Sequence, residues 1–203
     1  MQPSQDAQDV RDRYHFAKLA LFNARLLGRF QEENSGVIRS IIEEEAKRNG
    51  MIETPSLLHQ ATFLQLSYLC LVWLWESAKS AQLEASLLDE FPKVAERQKI
   101  QFPDNCQIVG EREVKDWHAV IRLLRNALGH GRVKATNASF EFSDQNTYGK
   151  NTEKAVTTLT VSWVQLAQIS EAVIHSLTPA LWPNLANPSV NADGFQPPVT
   201  LVR

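Results

Sequence analysis

The run of apolar residues "LSYLCLVWLW", from Leu66 to Trp75, most strongly limits how this chain can fold. The run is about half as long as the ~20 residues that a membrane-spanning helix needs. His59, Gln60 and Glu76 bracket it with polar side chains. A helix whose apolar residues nearly surround it belongs in the middle of a bundle. We therefore expect this segment to be the central helix of a soluble domain, with its aromatic residues in the core.

Helical spacing of apolar residues predicts further helices on both sides of this segment. The first covers about 10–31, and the second runs from a cap at Asn34 or Ser35 to about Arg48. The central helix is expected to start at Thr54-Pro55, because threonine is a good cap and proline suits the first helical position. Another helix is expected over about 111–129.

Two segments after this helix have the pattern of strands. "ASFEFSD" and "AVTTLTVSW" alternate in character and are rich in β-branched or aromatic residues, so they predict a β-hairpin. Ser162 and Gln165 then form a capping-box pattern that opens a last helix. The segment "IQFPDNCQIVG", 100–110, is expected to be a loop.

These elements define the expected fold class and domain organisation. We expect an all-α, up-and-down helical bundle with a small β-hairpin inserted before the last helix. Residues 1–178 would form this single domain, because 203 residues leave little room for two. Residues 179–203 hold five of the nine prolines and are expected to form an extended C-terminal tail.

Composition and charge exclude several classes of function. The formal net charge of −2 gives no general attraction to nucleic acid or acidic membranes, so a polyanion would have to bind through a local patch. The two cysteines, Cys70 and Cys106, have neither paired nor zinc-ligand spacing. We therefore expect no disulfide, no bound metal and no cofactor, and a reducing, cytoplasmic setting. The polar N-terminus lacks the apolar segment of a signal peptide.

The stretch "IRLLRNALGHGRV", from Ile121 to Val133, contains such a patch. On a helical wheel, one set of apolar residues forms a core stripe: Val120, Leu123, Leu124, Ala127 and Leu128. The opposite side carries mostly polar residues: His118, Arg122, Arg125 and Gly129, with Asn126 at the edge. Glycine costs about 1 kcal/mol relative to alanine in an exposed helix. Gly129 therefore suggests that another molecule or segment approaches the backbone.

The charge of this region favours phosphate binding. No aspartate or glutamate occurs between Trp117 and Phe140, whereas four residues there are basic: Arg122, Arg125, Arg132 and Lys134. Arginine offers phosphate a rigid fork of donors, and histidine can take up and return a proton near neutral pH. Arg125 and His130 lie about 140° apart on a regular helix. They could meet if the helix end unwinds at its glycines, or if a two-fold axis gathers two copies.

The same residues also have a purely structural interpretation. A positive residue near a helix C-terminus interacts favourably with the helix dipole, and a glycine just beyond it is the usual cap. His15, His59 and His175 show no ligand spacing and are interpreted as structural residues. Tyr68, Trp73 and Trp75 are expected in the core, although an aromatic side chain near a cleft could stack on a nucleobase.

The segment "RNALGH", Arg125–His130, resembles the Arg-x(4–6)-His motif of the HEPN superfamily, in which a polar residue, often asparagine, follows the arginine. The resemblance covers the helix over about 111–132 and, more loosely, the bundle layout. It implies a homodimer whose two motifs meet in a cleft and cleave RNA without a metal. In that mechanism His130 would act on the ribose 2′-hydroxyl or the leaving oxygen, Arg125 would bind the scissile phosphate, and Asn126 would hold either of them. The products would carry 2′,3′-cyclic phosphate and 5′-hydroxyl ends.

The resemblance also suggests a biological role and a set of partners. Such proteins often act as toxins or in defence against phage, and an antitoxin or regulatory protein is a further expected partner. The tyrosine that follows the histidine in the members paired with a nucleotidyltransferase antitoxin is replaced here by Gly131-Arg132. Four residues of the patch are expected to bind substrate rather than catalyse: Arg122, Arg132, Lys134 and His118. The alternative is a non-catalytic module that binds RNA or a nucleotide through the patch, or a protein through the tail.

Overall fold

A computed structural model describes residues 5–33, 36–56, 58–103, 106–109, 114–136, 138–145 and 156–183, with the backbone alone for 106–109. Its helices are α1 (Gln5–Glu33), α2 (Gly36–Arg48), α3 (Gln60–Ser67), α4 (Trp75–Ser80), α5 (Glu84–Arg97), α6 (Trp117–Gly129) and α7 (Trp163–Leu181). Its strands are β1 (Cys106–Val109), β2 (Val133–Ala135), β3 (Ser139–Gln145) and β4 (Val156–Ser162). The predicted fold class, a helical bundle with a small β-hairpin before the last helix, is confirmed.

The apolar run lies at the centre of the bundle. A π-helical segment, Tyr68–Leu74, joins α3 to α4 in one continuous rod, which we call the central helix. Leu71 and Leu74 are completely buried, and α1, α6 and α7 pack around the rod. Burial on several sides explains why apolar residues nearly surround this helix.

Two expectations for the central helix are wrong in detail. It begins at Gln60 rather than at Thr54-Pro55, because His59 caps it by accepting the Ala61 N–H on Nδ1 at 3.2 Å. Tyr68 and Trp73 are 49% and 38% exposed, whereas Trp75 is buried as expected. Trp73 is partly covered by α1, because its ring centroid lies 5.8 Å from that of Phe16 and 5.2 Å from the guanidinium carbon of Arg13.

The two predicted strands pair as β3 and β4, with Phe142 opposite Leu159. They are the middle of a four-stranded antiparallel sheet of order β1-β4-β3-β2. The expectation of a loop over 100–110 is wrong for 106–109, which form β1. These residues pair with the edge of β4 that β3 leaves unpaired. The polar connection between β3 and β4, which falls in 146–155, lies outside the described residues, as do Asn34 and Ser35.

The last helix begins as its sequence predicts and then closes the bundle. The Ser162 hydroxyl accepts the Gln165 N–H at 3.1 Å, which confirms the predicted cap. The helix continues through Pro179 to Leu181, and the next residue, Trp182, packs on Tyr14 of α1 with ring centroids 4.7 Å apart. The rest of the predicted tail, 184–203, lies outside the described residues.

An ion-pair cluster joins α1 to α7. Arg25 donates to Glu171 at 2.5 Å, and the His175 ring lies 3.2 Å from the same carboxylate oxygen. Burial alone would raise the pKa of Glu171, but the hydrogen bond with His175 and the charges of Arg25 and His175 outweigh it. The pKa of Glu171 is therefore below its ordinary value of 4.5, and the ionised form stabilises the fold.

We predict that Glu171→Gln lowers the free energy of unfolding at pH 7 by about 1.5–3 kcal/mol, because hydrogen bonds to a charged group are lost. The folded-state pKa is depressed, so this contribution is complete above pH 4.5 and disappears as the pH falls below it. Urea unfolding at several pH values measures the difference between the two proteins.

A matched control is Glu44→Gln, which removes an exposed ion pair with Arg48 on α2. Because both side chains are exposed, we expect this change to cost less than about 0.5 kcal/mol at every pH. A Glu171→Gln effect that stays constant down to pH 3 would contradict the account.

Candidate functional site

The helix α6 and the residues just beyond it carry the predicted site residues. Asp116 caps its N-terminus by accepting the Ala119 N–H at 2.8 Å, and the helix continues to Gly129. The predicted start at Glu111 lies outside the described residues. The five residues of the predicted core stripe are all buried: Val120, Leu123, Leu124, Ala127 and Leu128. They face the central helix and β3, so the polar side chains of α6 must point to the rim or to solvent.

The C-terminal end of α6 is closed by a Schellman motif. The Arg132 N–H bonds to the Ala127 carbonyl at 2.8 Å, and the Gly131 N–H bonds to the Leu128 carbonyl at 3.2 Å. Gly131 has a φ of +66°, the left-handed conformation that such a cap requires. The helix end therefore does not unwind, so this route does not bring Arg125 and His130 together within one subunit.

Arg125 lies against the central helix and the start of α5. Its Nη1 is 3.5 Å from carboxylate oxygens of both Glu76 and Glu84, and its guanidinium lies over the Trp75 ring, 5.9 Å from the centroid. Glu84 also accepts the Trp75 Nε1–H at 2.9 Å. The stretch that is free of acidic residues in the sequence thus meets two carboxylates from other elements. The Arg125 side chain is only 20% exposed, so it is not a freely solvated member of the polar side.

Asn126 connects α6 to the sheet. Its side-chain amide donates to a carboxylate oxygen of Asp144 at 3.1 Å. Asp144 is 4% exposed and occupies the inward-facing row of β3 that also contains Phe140 and Phe142. In this arrangement Asn126 holds β3 against the helix end, next to the predicted catalytic residues.

The remaining predicted site residues lie on α6 and in the residues that follow it. His130 is the C-terminal cap residue and is exposed, as are Arg122 and Lys134, while Arg132 is half-buried. Within the described part of the chain, none of these four forms an ion pair with an acidic side chain. Lys134 lies opposite Glu141 in the β2–β3 pairing.

His118 lies near the start of α6, away from this end. It is exposed, and its Nε2 is 3.2 Å from the Leu88 carbonyl of α5. This ring therefore contacts α5 and lies towards the opposite end of α6 from His130. Between the described residues, no hydrogen bond or ion pair joins Arg125 to His130.

Sequence reasoning missed the carboxylates of the site. Glu76 and Glu84 are close to Arg125 only after the bundle forms, and no spacing in the chain indicates that contact. The sequence did indicate that Asp144 needs a polar partner. It is the one acidic residue in the inward row of β3, whose other inward residues are phenylalanines. In the described residues, no group of three or more histidine, cysteine, aspartate or glutamate side chains is placed to hold a metal ion.

Comparison with known proteins agrees with the fold. The chain matches the family model described as HEPN pEK499 p136 over residues 2–177, which is most of its length. The protein is therefore a member of this HEPN family. The search of curated proteins and the search of solved structures returned no match. Over the described residues, no helix combines the length and the apolar character needed to cross a membrane.

The two glycines at the end of α6 should respond in opposite ways to substitution by alanine. We predict that Gly131→Ala lowers the free energy of unfolding by about 1–2 kcal/mol, because an L-residue is strained at positive φ. Gly129→Ala should raise it by about 0.5–1 kcal/mol, since Gly129 is helical and an added Cβ would meet no described atom within 4 Å. Urea unfolding of both variants measures the two changes in the free energy of unfolding. Equal changes of the same sign would contradict the cap geometry.

Proposed function

We propose that this protein is a metal-independent endoribonuclease of HEPN type, with Arg125 and His130 as its catalytic residues. The observation that carries the proposal is the position of His130. In a chain of the HEPN family, this histidine lies exposed at the C-terminal cap of α6, five residues after Arg125. An exposed imidazole can reach a large substrate and exchange protons with it near neutral pH.

The proposed reaction is an internal transfer at phosphorus. His130 takes the proton of a ribose 2′-hydroxyl, and the 2′-oxygen attacks the adjacent phosphorus. The bond to the 5′-oxygen of the next nucleotide breaks, and that oxygen receives a proton from an imidazolium. Arg125 stabilises the negative charge that develops on the non-bridging oxygens. The products are a 2′,3′-cyclic phosphate and a 5′-hydroxyl end.

A homodimer is part of the proposal. The end of α6 is closed, so a side chain at position 125 and one at 130 point in different directions within one subunit. A two-fold axis near this end would place Arg125 of one subunit beside the partner's His130. Asn126 supports the site by holding the helix end to β3 through Asp144.

RNA binding is assigned to the basic residues on α6 and just beyond its end. Arg122, Arg132 and Lys134 have no acidic partner among the described residues and can contact successive phosphates. His118 is the outermost member of the proposed surface, on the side of α5. Affinity that depends on these contacts should fall steeply with salt concentration.

The proposed biological role is that of a toxin or a phage-defence nuclease acting in the cytoplasm. An antitoxin or another regulatory protein would keep such an activity in check. The second candidate is a non-catalytic HEPN-like module that binds RNA, a nucleotide or a protein. The contacts of Arg125 favour that candidate, because two carboxylates already neutralise its charge.

We predict that the purified protein cleaves mixed RNA in EDTA and that Arg125→Ala and His130→Ala each lower the rate at least ~100-fold, the usual scale for losing an acid–base or charge-stabilising group. New 5′ ends should be labelled by polynucleotide kinase without prior phosphatase treatment, because they carry hydroxyl groups. Gel analysis of labelled RNA measures both rate and end chemistry.

His15→Ala is the matched control. His15 is an exposed histidine on α1 whose ring contacts are with Tyr14 and Trp182. This variant should cleave at the rate of the parent. RNA that remains intact with the parent protein, or equal cleavage by all four proteins, would refute the catalytic assignment. Binding of intact RNA by the parent protein would then favour the non-catalytic module.

A further inference from the structure

The two carboxylates that face Arg125 are not used by the proposed reaction. Both oxygens lie 3.5 Å from the guanidinium Nη1, which is longer than the 2.7–3.2 Å of a good hydrogen bond. Among the described residues, the guanidinium forms no hydrogen bond at all. The carboxylates therefore attract Arg125 by charge and leave its N–H donors available to a stronger acceptor.

The charges around Arg125 oppose the binding of a phosphate. One guanidinium faces two carboxylates, so this group of three side chains carries a net charge of −1. A phosphodiester at Arg125 would add another negative charge within a few ångströms of both acids. Like charges at that distance repel, and the partial burial of Arg125 reduces screening by solvent.

The two acids differ in how firmly they are held. Glu84 is fixed by the hydrogen bond from Trp75 Nε1 at 2.9 Å, and its side chain is 33% exposed. The Glu76 side chain is 50% exposed, and Arg125 is the one partner that the described residues provide for its carboxylate. Glu76 can therefore turn into solvent without breaking another contact, whereas Glu84 cannot.

We propose that Glu76 is an internal competitor of the RNA phosphate for Arg125, an autoinhibitory contact built into the central helix. This inference rests on the proposed function, since it concerns the same arginine. In the free protein, the Glu76 carboxylate occupies the position next to Arg125 that a non-bridging phosphate oxygen takes when RNA binds. Binding then requires Glu76 to leave, while Glu84 and Trp75 keep the guanidinium in place.

The test measures affinity without cleavage. The probe is a fluorescein-labelled, single-stranded 2′-O-methyl RNA of mixed sequence, which keeps the phosphates and lacks the nucleophilic hydroxyl. Fluorescence anisotropy at fixed salt gives its Kd for the full chain. We expect Glu76→Gln to lower Kd about two- to fivefold, the range that corresponds to loss of one partly exposed charge contact.

Two controls separate a local effect from a change of net charge. Glu43→Gln makes the same change of charge at an ion-paired glutamate of α2 that is 52% exposed, and it should leave Kd within about 1.5-fold. In an Arg125→Ala background, Glu76→Gln should no longer improve binding, because the group for which it competes is absent.

Each result decides between specific accounts. Unchanged or weaker binding by Glu76→Gln, with the parent still binding better than Arg125→Ala, overturns the inference and leaves the proposed function standing. An equal gain from Glu43→Gln, or a gain that persists without Arg125, also overturns it. Parent and Arg125→Ala proteins that bind RNA equally overturn the role of Arg125 and the inference together.

Discussion

Burial of the apolar side of α6 against the central helix and β3 determines where the polar side chains of that helix can go. Five residues on two turns leave solvent together, and the helix cannot rotate without exposing them. Arg125 is consequently held at the rim next to the central helix, Asn126 faces the sheet, and His130 reaches solvent at the end. The candidate site is thus a consequence of packing, with the glycine cap fixing the point at which the helix stops.

The electrostatics of the site come from several parts of the chain. The helix supplies cations, but the central helix and α5 supply two carboxylates, and β3 supplies a third acid beside Asn126. An arginine next to Glu76 and Glu84 is stable in the free protein and poorly prepared for an anionic substrate. The same contacts that hold Arg125 in place therefore oppose its proposed binding of phosphate. Glu76 is the acid that can move away from Arg125 without breaking another contact.

Local patterns in the sequence predicted the elements that have a local signature. Side-chain periodicity indicates the core stripe of α6 and the strands β3 and β4, and the Ser162 cap depends on a contact between residues three apart. Contacts between distant segments were not predictable in this way. β1 exists because an edge of β4 is free, and the carboxylates beside Arg125 meet it only in the folded bundle. Counting the charges along α6 alone could not reveal these carboxylates, because they belong to other helices.

A shared cleft at the ends of two α6 helices is the central claim, and complementation between two inactive subunits tests it most directly. Arg125→Ala and His130→Ala chains with different affinity tags would be co-expressed, and the mixed dimer purified through both tags. RNA cleavage by that dimer is then compared with cleavage by each parent. The account predicts recovered cleavage, because one intact arginine and one intact histidine meet across the two-fold axis. A mixed dimer as inactive as its parents would contradict the claim.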